Sequence, residues 1–477
     1  MHRPRGAFCH DGWCQQCRVT LGDGSVVLAC QQHGETERLN TGGSFVRRLL
    51  GRVTEQQPPW FYESHFLRPK FLRQGYLNLL RRLSGAKRLP DTPPASGEAW
   101  RRLSCNALVV GGGIAGLAAA RELALAGRSV IVIDARRSRE KVSAPDDGAA
   151  AAAAALEAGC SILAETVCVG LYEKPRRALC VGTDVLVIEH RELVVATGAY
   201  DRLLPFDNND LPGIVGVRGL EILVAQRALT PACRIGVYGE STEVDRALAA
   251  LKSAGVSARW AAGPGDLSKA VEGVTSHQNV RLESAEGRAR VEAVRLSGVG
   301  RLDCDLLVLG FSQPGYELQL QRGARLDVQG LPRKLVPVIS QAGLLVVGEA
   351  AGDSGEATVA TDAARRTHHW LRTGENLPAA TVAATHELCR GGHPDAFICP
   401  CEDVRVRDIR DAIAAGYNDI ELIKRHTGAA TGPCQGKLCH GNLMDCLAEN
   451  RLELRVPTQR PLVRPIQFAR FAGAPEE

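Results

Sequence analysis

The 477-residue sequence lacks long apolar runs and lacks a strong excess of charge of either sign. No apolar stretch reaches the length of a membrane-spanning helix, and the alanine-rich run Ala149–Ala155 is predicted as part of an ordinary helix. The net charge of +5 is too small to argue for a nucleic-acid partner. The first residues contain no apolar core of a secretion signal. We therefore expect a cytoplasmic protein without a transmembrane segment, and a peripheral position at the inner membrane stays open.

Cysteine, by contrast, is abundant. The chain has sixteen cysteines, which is many for a protein of a reducing compartment. Eight of them form two spaced sets, one near each end of the chain, and the others are predicted to be small buried hydrophobic residues. This distribution indicates metal clusters rather than a disulfide framework.

A dinucleotide-binding motif follows the first hundred residues. An apolar strand, Ala107–Val110, leads into a glycine-rich turn and a helix of small residues, and the second strand, Val130–Ile133, ends at an acid. The fingerprint residues are Gly111, Gly113, Gly116 and Asp134. The three glycines allow a tight turn, a close approach of pyrophosphate to the backbone, and close helix–strand packing, while the acid binds a ribose hydroxyl. The motif predicts a dinucleotide site without choosing between FAD and NAD.

The first cysteine set has the spacing of plant-type [2Fe–2S] ferredoxins. Its members are Cys9, Cys14, Cys17 and Cys30. The segments Val19–Leu21 and Val26–Leu28 are predicted to form a hairpin that returns the fourth cysteine to the loop of the first three. A structural zinc site with four cysteine ligands is the alternative. A ferredoxin-type fold needs strands before this loop, and we expect that this segment is only partial.

Two later segments are predicted to complete the first dinucleotide domain. The strand and turn Leu193–Gly198 are typical of the place where the chain passes the cofactor in two-dinucleotide-fold flavoproteins, and Leu344–Asp353 is a strand that opens onto a helix. A carboxylate after such a strand usually holds the ribityl and phosphate part of a flavin. The candidate cofactor residues in these segments are Ala196, Thr197, Gly198, Gly348 and Glu349.

A second β–α–β unit lies between these segments, with strands predicted at Arg234–Tyr238 and Val256–Trp260. Its glycine fingerprint is incomplete, because the position that should be small at the start of the helix is occupied by Glu243 or Val244. Glu240 and Glu243 would also repel incoming phosphates. We therefore expect that the dinucleotide fold is retained here without a nicotinamide nucleotide.

The second cysteine set has a C-x-C and C-x4-C pattern. Its members are Cys399, Cys401, Cys434 and Cys439. Two helices predicted at Asp408–Ala415 and Asp419–His426 would bring the two pairs together. The set is predicted to hold a [2Fe–2S] cluster, and zinc is again the alternative.

These segments predict an α/β fold with two dinucleotide-binding (Rossmann-like) domains, and residues 105–375 resemble the FAD/NAD(P)-binding disulfide-oxidoreductase type. The predicted units are 1–45 (partial ferredoxin-like segment), 46–104 (connector), 105–230 and 311–385 (two parts of the FAD-binding domain), 231–310 (degenerate NAD-binding-like domain), 396–450 (small helical [2Fe–2S] domain) and 451–477 (C-terminal tail).

Four stretches carry a resemblance to a known family. They are RPRGAFCHDGWCQQCRVT at 3–20, ATGAYDRLLPFDNNDLPG at 196–213, CPCEDV at 399–404 and TGPCQGKLCHG at 431–441. In these the chain resembles the FAD-dependent α subunits of heteromeric amino-acid and amine dehydrogenases, which include opine oxidase, hydroxyproline dehydrogenase, hydrogen cyanide synthase and sarcosine oxidase. Residues 396–445 are similar to the bacterioferritin-associated-ferredoxin-like (BFD-like) domain. Two departures stand out: the family's Gly-Gly element is absent from Ala135–Ala155, and the ferredoxin-like part lacks its beginning.

The resemblance implies FAD as cofactor, with a [2Fe–2S] cluster in each cysteine set, and a role in electron transfer. A partner β subunit, similar to FAD-dependent amino-acid oxidases, would oxidise the substrate, and this chain would pass the electrons to a carrier or quinone. No general base or nucleophile stands out, so no catalytic residue is assigned. The alternatives are a stand-alone NAD(P)H-dependent reductase and an assembly scaffold that has lost its flavin.

Overall fold

The structure is a computed structural model of the chain. It describes residues 6–20, 26–32, 75, 99–136, 147–173, 176–226, 228–229, 233–268, 273–329, 334–352, 359–378, 393–456, 458–466 and 468–471. Most of the predicted connector 46–104 and most of the segment after Asp134 that should carry a Gly-Gly element lie outside these residues. Across the part of the chain that is described, no helix combines the length and the apolar character needed to cross a membrane.

The strands and α-helices are numbered in chain order. The strands are β1 (Arg18–Thr20), β2 (Val26–Leu28), β3 (Trp100–Val110), β4 (Val130–Ile133), β5 (Ser161–Leu163), β6 (Val167–Tyr172), β7 (Arg177–Val181), β8 (Val185–Val195), β9 (Ala199–Asp201), β10 (Ile214–Gly216), β11 (Ile235–Gly239), β12 (Trp260–Ala262), β13 (Thr275–His277), β14 (Leu282–Glu286), β15 (Ala293–Leu296), β16 (Gly300–Asp303), β17 (Leu306–Gly310), β18 (Ser312–Pro314), β19 (Arg325–Gln329), β20 (Lys334–Val338), β21 (Leu344–Val346), β22 (Phe397–Cys399) and β23 (Val404–Arg405). The α-helices are α1 (Ile114–Leu125), α2 (Asp147–Glu157), α3 (Val217–Ala225), α4 (Ser241–Ser253), α5 (Glu317–Gln321), α6 (Val359–Thr373), α7 (Val406–Ala414), α8 (Ile420–Thr427) and α9 (His440–Glu449).

The first domain is built on a seven-stranded sheet with the order β5-β4-β3-β8-β7-β6, and β21 lies beside β8. The strands β5, β4, β3, β8 and β21 are parallel, whereas β6 and β7 are antiparallel additions. The last four residues of β3, Ala107–Val110, are buried because α1 covers one face of the sheet, and apolar residues pack on both faces. Strand β3 pairs with β4 on one side and with β8 on the other, so the order of the strands reverses at β3. This is the point in an open α/β sheet where ligands bind.

The second domain has a five-stranded parallel sheet with the order β10-β17-β11-β12-β13. The antiparallel strands β14, β15 and β16 form a separate small sheet. The two domains are joined by the antiparallel pair β9 and β18, which places Asp201 opposite Ser312. After this pair the chain returns to the first sheet through β21, as the sequence predicted.

The C-terminal unit folds around its own apolar core. The strands β22 and β23 pair antiparallel, and α7, α8 and α9 pack around them. The core includes Ile398, Ile409, Ile423 and Met444, all of which are fully buried. Helix α9 is docked on the crossover after β9 by a buried ion pair between Arg202 and Asp445.

Most predicted elements are present, with shifted ends. The hairpin near the first cysteines forms between β1 and β2, with Val19 opposite Val27. The strand predicted at Val256–Trp260 is wrong, because the strand is β12 and begins only at Trp260. The backbone N–H of Val256 still donates to the carbonyl of Leu251 at the end of α4, after Gly255 has turned the chain at φ 68°. The apolar residue therefore closes the helix instead of starting the strand.

Candidate cofactor-binding site

The turn between β3 and α1 has the geometry that its glycines predict. Gly111 adopts φ 111°, and a Cβ atom there would lie 2.1 Å from the carbonyl oxygen of Ala196. A Cβ atom on Gly116 would lie 1.9 Å from the carbonyl oxygen of Gly111. Both glycines are therefore required by the protein's own backbone, whatever is bound.

Gly113 differs from these two glycines, because the space beside it is open. It begins α1 with an ordinary φ of −69°, and no side chain of the described residues caps the helix N-terminus. Among those same residues, the only atom within 4 Å of a Cβ placed there is Nη2 of Arg136, at 3.8 Å. A helix N-terminus with open space and a guanidinium nearby has the chemistry to receive a pyrophosphate. The residues of this turn therefore fit a bound dinucleotide.

Asp134 follows β4 at the same edge of the sheet. Its carboxylate accepts hydrogen bonds from the backbone N–H of Arg136 at 2.8 Å and from the Arg136 guanidinium at 3.0 and 3.2 Å. Burial lowers the pKa of Arg136, but the charge and hydrogen bonds of Asp134, together with the charges of Asp11 and Glu221, raise it by more. Asp134 is therefore held beside the glycine turn by Arg136.

The opposite wall contains the other predicted cofactor residues. Ala196 continues β8, and its N–H donates to the carbonyl of Val110. The Thr197 hydroxyl donates to the carbonyl of Gly315 at 3.0 Å. Gly198 and Glu349 are neighbours in this wall. A Cβ atom on Gly198 would lie 3.6 Å from Oε2 of Glu349.

The Glu349 carboxylate already has ion-pair partners, because two arginines of the second domain bind it. Its Oε1 accepts from Arg218 of α3 at 2.5 Å and from Arg246 of α4 at 2.9 Å. Gly348 makes this position possible, since its φ of 66° turns the chain where a Cβ would lie 2.7 Å from Cβ of Ala115. The carboxylate predicted to face the flavin is therefore also an ion-pair partner across the domain boundary.

Arg218 is the centre of a buried charge network. Its guanidinium contacts Asp201 at 3.0 Å, Glu243 at 3.3 Å and Glu349. Burial raises the pKa of Asp201 to about 6, although the nearby charge of Arg218 lowers it. The backbone N–H of Arg218 also donates to the Asp201 carboxylate. Burial lowers the pKa of Arg218, but its three carboxylate neighbours raise it by more. The arginine is therefore charged and compensates several acids at once.

Replacing Arg218 by methionine should destabilise the fold strongly. The change leaves Asp201 and Glu243 buried without their shared cation, and removing one partner of a buried ion pair costs about 3–5 kcal/mol. We expect the free energy of unfolding, measured by urea denaturation, to fall by that amount. The control is Arg128→Met, since Arg128 is 39% exposed in its pair with Glu192 and should cost under about 1 kcal/mol. Equal losses in the two variants would contradict the role of the network.

The turn of the second β–α–β unit is packed against the neighbouring strand β17. A Cβ atom on Gly239 would lie 2.5 Å from the Cα of Gly310, so the two strand ends abut. Glu243 lies at the start of α4. Its side chain is 4% exposed and forms an ion pair with Arg218 of α3. The acids at this turn were predicted to repel phosphate, and the structure adds that Glu243 is an internal ion-pair partner.

The N-terminal cysteines are brought together in two pairs. The Sγ atoms of Cys17 and Cys30 lie 3.3 Å apart, and the backbone N–H of Cys14 donates to Sγ of Cys9 at 3.4 Å. Burial and the Cys14 thiol raise the pKa of Cys9, while contact with the Cys30 thiol lowers the pKa of Cys17 to about 6. The carbonyl of Phe8 accepts from Gly216, which anchors this loop on the second domain.

The C-terminal cysteines also converge, from β22, the following turn, and the segment before α9. Cys401 contacts both Cys399 and Cys434. The contact with Cys399 and burial raise the pKa of Cys401 to about 12, although the contact with Cys434 lowers it. Cys439 contacts Cys399 in turn. Gly432 permits the approach, since a Cβ atom there would lie 2.4 Å from Cβ of Cys401. All four are free thiols and interact with one another.

Within the described residues, no group of three or more His, Cys, Asp or Glu side chains is arranged to hold a metal ion. A [2Fe–2S] centre divides four thiolates between two irons, so that it needs two pairs of thiols rather than a triad around one point. The pairing of Cys9 with Cys14 and of Cys17 with Cys30 suits this demand. The clusters themselves stay a prediction.

Sequence reasoning missed Arg218 and Arg246. The only signal was indirect: Glu243 at the start of a helix calls for a cation if it becomes buried. Which arginine supplies the charge depends on how α3 packs against α4, and no local pattern contains that information. Gln16, whose amide contacts Cys401, also gave no signal in the sequence.

Two family models match the chain. One, described as "Sarcosine oxidase A3 domain", matches residues 393–474, and the other, "FAD dependent oxidoreductase", matches residues 106–144. These matches cover the C-terminal cysteine set and the glycine turn.

Two similar curated proteins cover most of the chain. The sarcosine oxidase alpha subunit of Rhizobium meliloti is 26% identical over 99% of this chain and 54% of its own length. The hydrogen cyanide synthase subunit HcnB of Pseudomonas aeruginosa is 25% identical over 77% of this chain and 98% of its own length. The chain thus spans about half the length of the sarcosine oxidase relatives.

Among solved structures, the L-proline dehydrogenase from P. horikoshii is similar with a TM-score of 0.64. It shares 20% sequence identity, over 79% of this chain and 81% of that one. This likeness confirms the predicted fold class.

Proposed function

Since the chain belongs to the FAD-dependent oxidoreductases related to opine oxidase, HcnB and the sarcosine oxidase α subunit, we propose that it is an electron-transfer subunit of a heteromeric amino-acid or amine dehydrogenase. It would carry FAD and two [2Fe–2S] clusters. A partner subunit similar to amino-acid oxidases would oxidise the substrate, and the electrons would leave to a carrier or quinone.

The residues that would hold FAD line the edge of the first sheet. Gly113 and the N-terminus of α1 would receive the pyrophosphate, and Asp134 would bind a ribose hydroxyl. Gly198 and Glu349 form the opposite wall. A bound flavin exchanges electrons both in pairs and singly, which suits a protein placed between a hydride-removing partner and one-electron carriers.

The single observation that carries the proposal is that members of both cysteine sets pack around one apolar core, together with Tyr200 of β9. Cys9, Cys14 and Cys434 are buried in the same apolar cluster, against which Tyr200 and Cys401 pack. The ring of Trp13, between the first two cysteines, lies 4.9 Å from the ring of Tyr200. This compact arrangement supports electron transfer more than a role for either cysteine set alone.

A buried ion pair lies beside this core. The ammonium of Lys437 lies 3.4 Å from Glu317 and 5.6 Å from the centre of the Tyr200 ring, and it donates to the carbonyl of Cys434. The Tyr200 hydroxyl donates to Glu317 at 3.4 Å. These contacts hold the second cysteine loop against the strand that follows Gly198.

NADH and NADPH should not reduce the protein at a useful rate, because Glu240 and Glu243 place carboxylates at the N-terminal end of α4, where the phosphates of a nucleotide would have to approach. The measurement is the flavin absorbance after anaerobic mixing with either nucleotide. Dithionite serves as the control and should bleach the flavin. Rapid bleaching by NADH or NADPH would favour a stand-alone reductase, and a preparation with iron but no flavin bands would favour an assembly scaffold.

A further inference from the structure

We infer that Gln16 is a positioning residue that sets the reduction potential of the C-terminal cysteine site from the N-terminal cysteine loop. Its side-chain amide nitrogen donates to Sγ of Cys401 at 3.3 Å, across 385 positions of sequence. The inference rests on the proposed function, because it concerns thiolates that hold clusters.

The side-chain NH₂ group of Gln16 has two acceptors within hydrogen-bond distance. The same nitrogen that meets Cys401 also donates to the carbonyl oxygen of Cys14 at 3.0 Å. An amide NH₂ has two hydrogens, so one can point to each acceptor. The first hydrogen bond ties the side chain to the loop of the first cysteines, and the second presents an N–H to a sulfur of the other set.

The contact between Gln16 and Cys401 is partly buried, and it lies beside fully buried cysteines of both sets. Cys14 is 1% exposed and Cys434 is 2% exposed, and Cys401 packs against the apolar cluster that contains both. The loop is fixed on the second domain through Phe8, whose carbonyl accepts from Gly216 at 3.1 Å. The position of Gln16 is therefore set by the fold, and it does not depend on a flexible surface side chain.

A hydrogen bond to a ligand sulfur stabilises the more negative, reduced state of an iron–sulfur centre and raises its reduction potential. Gln16 is thus placed to make the potential of the C-terminal site depend on the conformation of the N-terminal loop. Nothing in the local sequence of the C-terminal cysteine motif encodes this dependence, because the donor belongs to the other end of the chain.

The chain offers a matched control in Gln31. Its amide nitrogen lies 3.9 Å from Sγ of Cys30, a long contact within the N-terminal set. Gln31→Leu and Gln16→Leu are therefore the same chemical change in the same segment, but they remove donors from sulfurs of different sets.

The experiment is a redox titration of the anaerobically purified full-length protein, followed by electron paramagnetic resonance. Signals are assigned with Cys14→Ser and Cys434→Ser, each of which should lack one of them. In Gln16→Leu we expect the reduction equilibrium of the C-terminal signal to shift about tenfold toward the oxidised form, which is about 59 mV for one electron. Gln31→Leu should leave this signal unmoved and shift the N-terminal one by less.

Iron content separates the two ways of failing. Wild type with about four irons per chain, but with an unmoved C-terminal potential in Gln16→Leu, would overturn the inference and leave the proposed function intact. Zinc, or no iron, in wild type would overturn the cluster assignment itself. If Gln16→Leu loses iron, Gln16→Glu decides the matter: it keeps the side-chain length but replaces the donor by a carboxylate, and its C-terminal potential must fall.

Discussion

Gly113→Val should give a folded protein that retains no flavin. The side chain would fill the open space at the N-terminus of α1, where a pyrophosphate must approach the backbone. The fold itself has little reason to change, since φ at this position is −69° and the nearest described atom to a new Cβ is 3.8 Å away. The measurement is the ratio of flavin to protein in the visible spectrum, together with thermal unfolding of the flavin-free protein.

Two further variants make the result specific to the ligand. Ala126→Val adds the same kind of side chain at the exposed C-terminal end of α1 and should keep its flavin. Gly111→Val should fail to fold, because its Cβ would lie 2.1 Å from the carbonyl oxygen of Ala196. Normal flavin content in Gly113→Val would refute the assignment of the pyrophosphate site.

Cys434→Ser should lose about half of the iron, because each set of four thiolates would hold one cluster. Cys434 is 2% exposed and contacts Cys401, so the change removes a buried thiol that the proposed cluster needs. A domain of this size gains much of its stability from a bound metal centre. We therefore expect the segment 396–450 to become protease-sensitive while the first domain stays folded.

Iron and acid-labile sulfide analysis, with electron paramagnetic resonance after reduction, measures this effect. Cys14→Ser should remove the other half of the iron and leave the C-terminal segment resistant to protease. Cys446→Ser is the matched control, since Cys446 is a buried cysteine of α9 outside both sets and should keep all of the iron. Zinc in place of iron in anaerobically prepared wild type would contradict the prediction and remove the electron-transfer role with it.

The glycine turn shows how much a local pattern can predict. Strand, turn, helix and second strand are contiguous, and the structure places them within a residue or two of the expected ends near Gly111 and Asp134. Gly116 is dictated by a contact within this same unit, with the carbonyl oxygen of Gly111, whereas a Cβ atom on Gly111 would meet the carbonyl oxygen of Ala196. The role of Gly116 could therefore be read from order and spacing, because its partner lies nearby in sequence, whereas the contact that requires Gly111 comes from the later residue Ala196.

Local patterns failed where a strand end depends on its neighbours. Val256 was expected to start a strand, but its backbone N–H donates to the carbonyl of Leu251 at the end of α4. The strand begins at Trp260, where β11 and β13 can pair with it. Apolar residues close a helix as readily as they begin a strand. Only the register with the adjacent strands decided between the two.

The sequence by itself determined the α/β fold, the dinucleotide turn, and the grouping of eight cysteines into two sets. These depend on residue types at short, regular spacings, which act through local backbone geometry. The tertiary structure alone decided that Glu349 pairs with Arg218 and that Gln16 meets Cys401. Such contacts join residues 131 and 385 positions apart, and buried charges and sulfur acceptors take their partners from whichever segment the packing brings close.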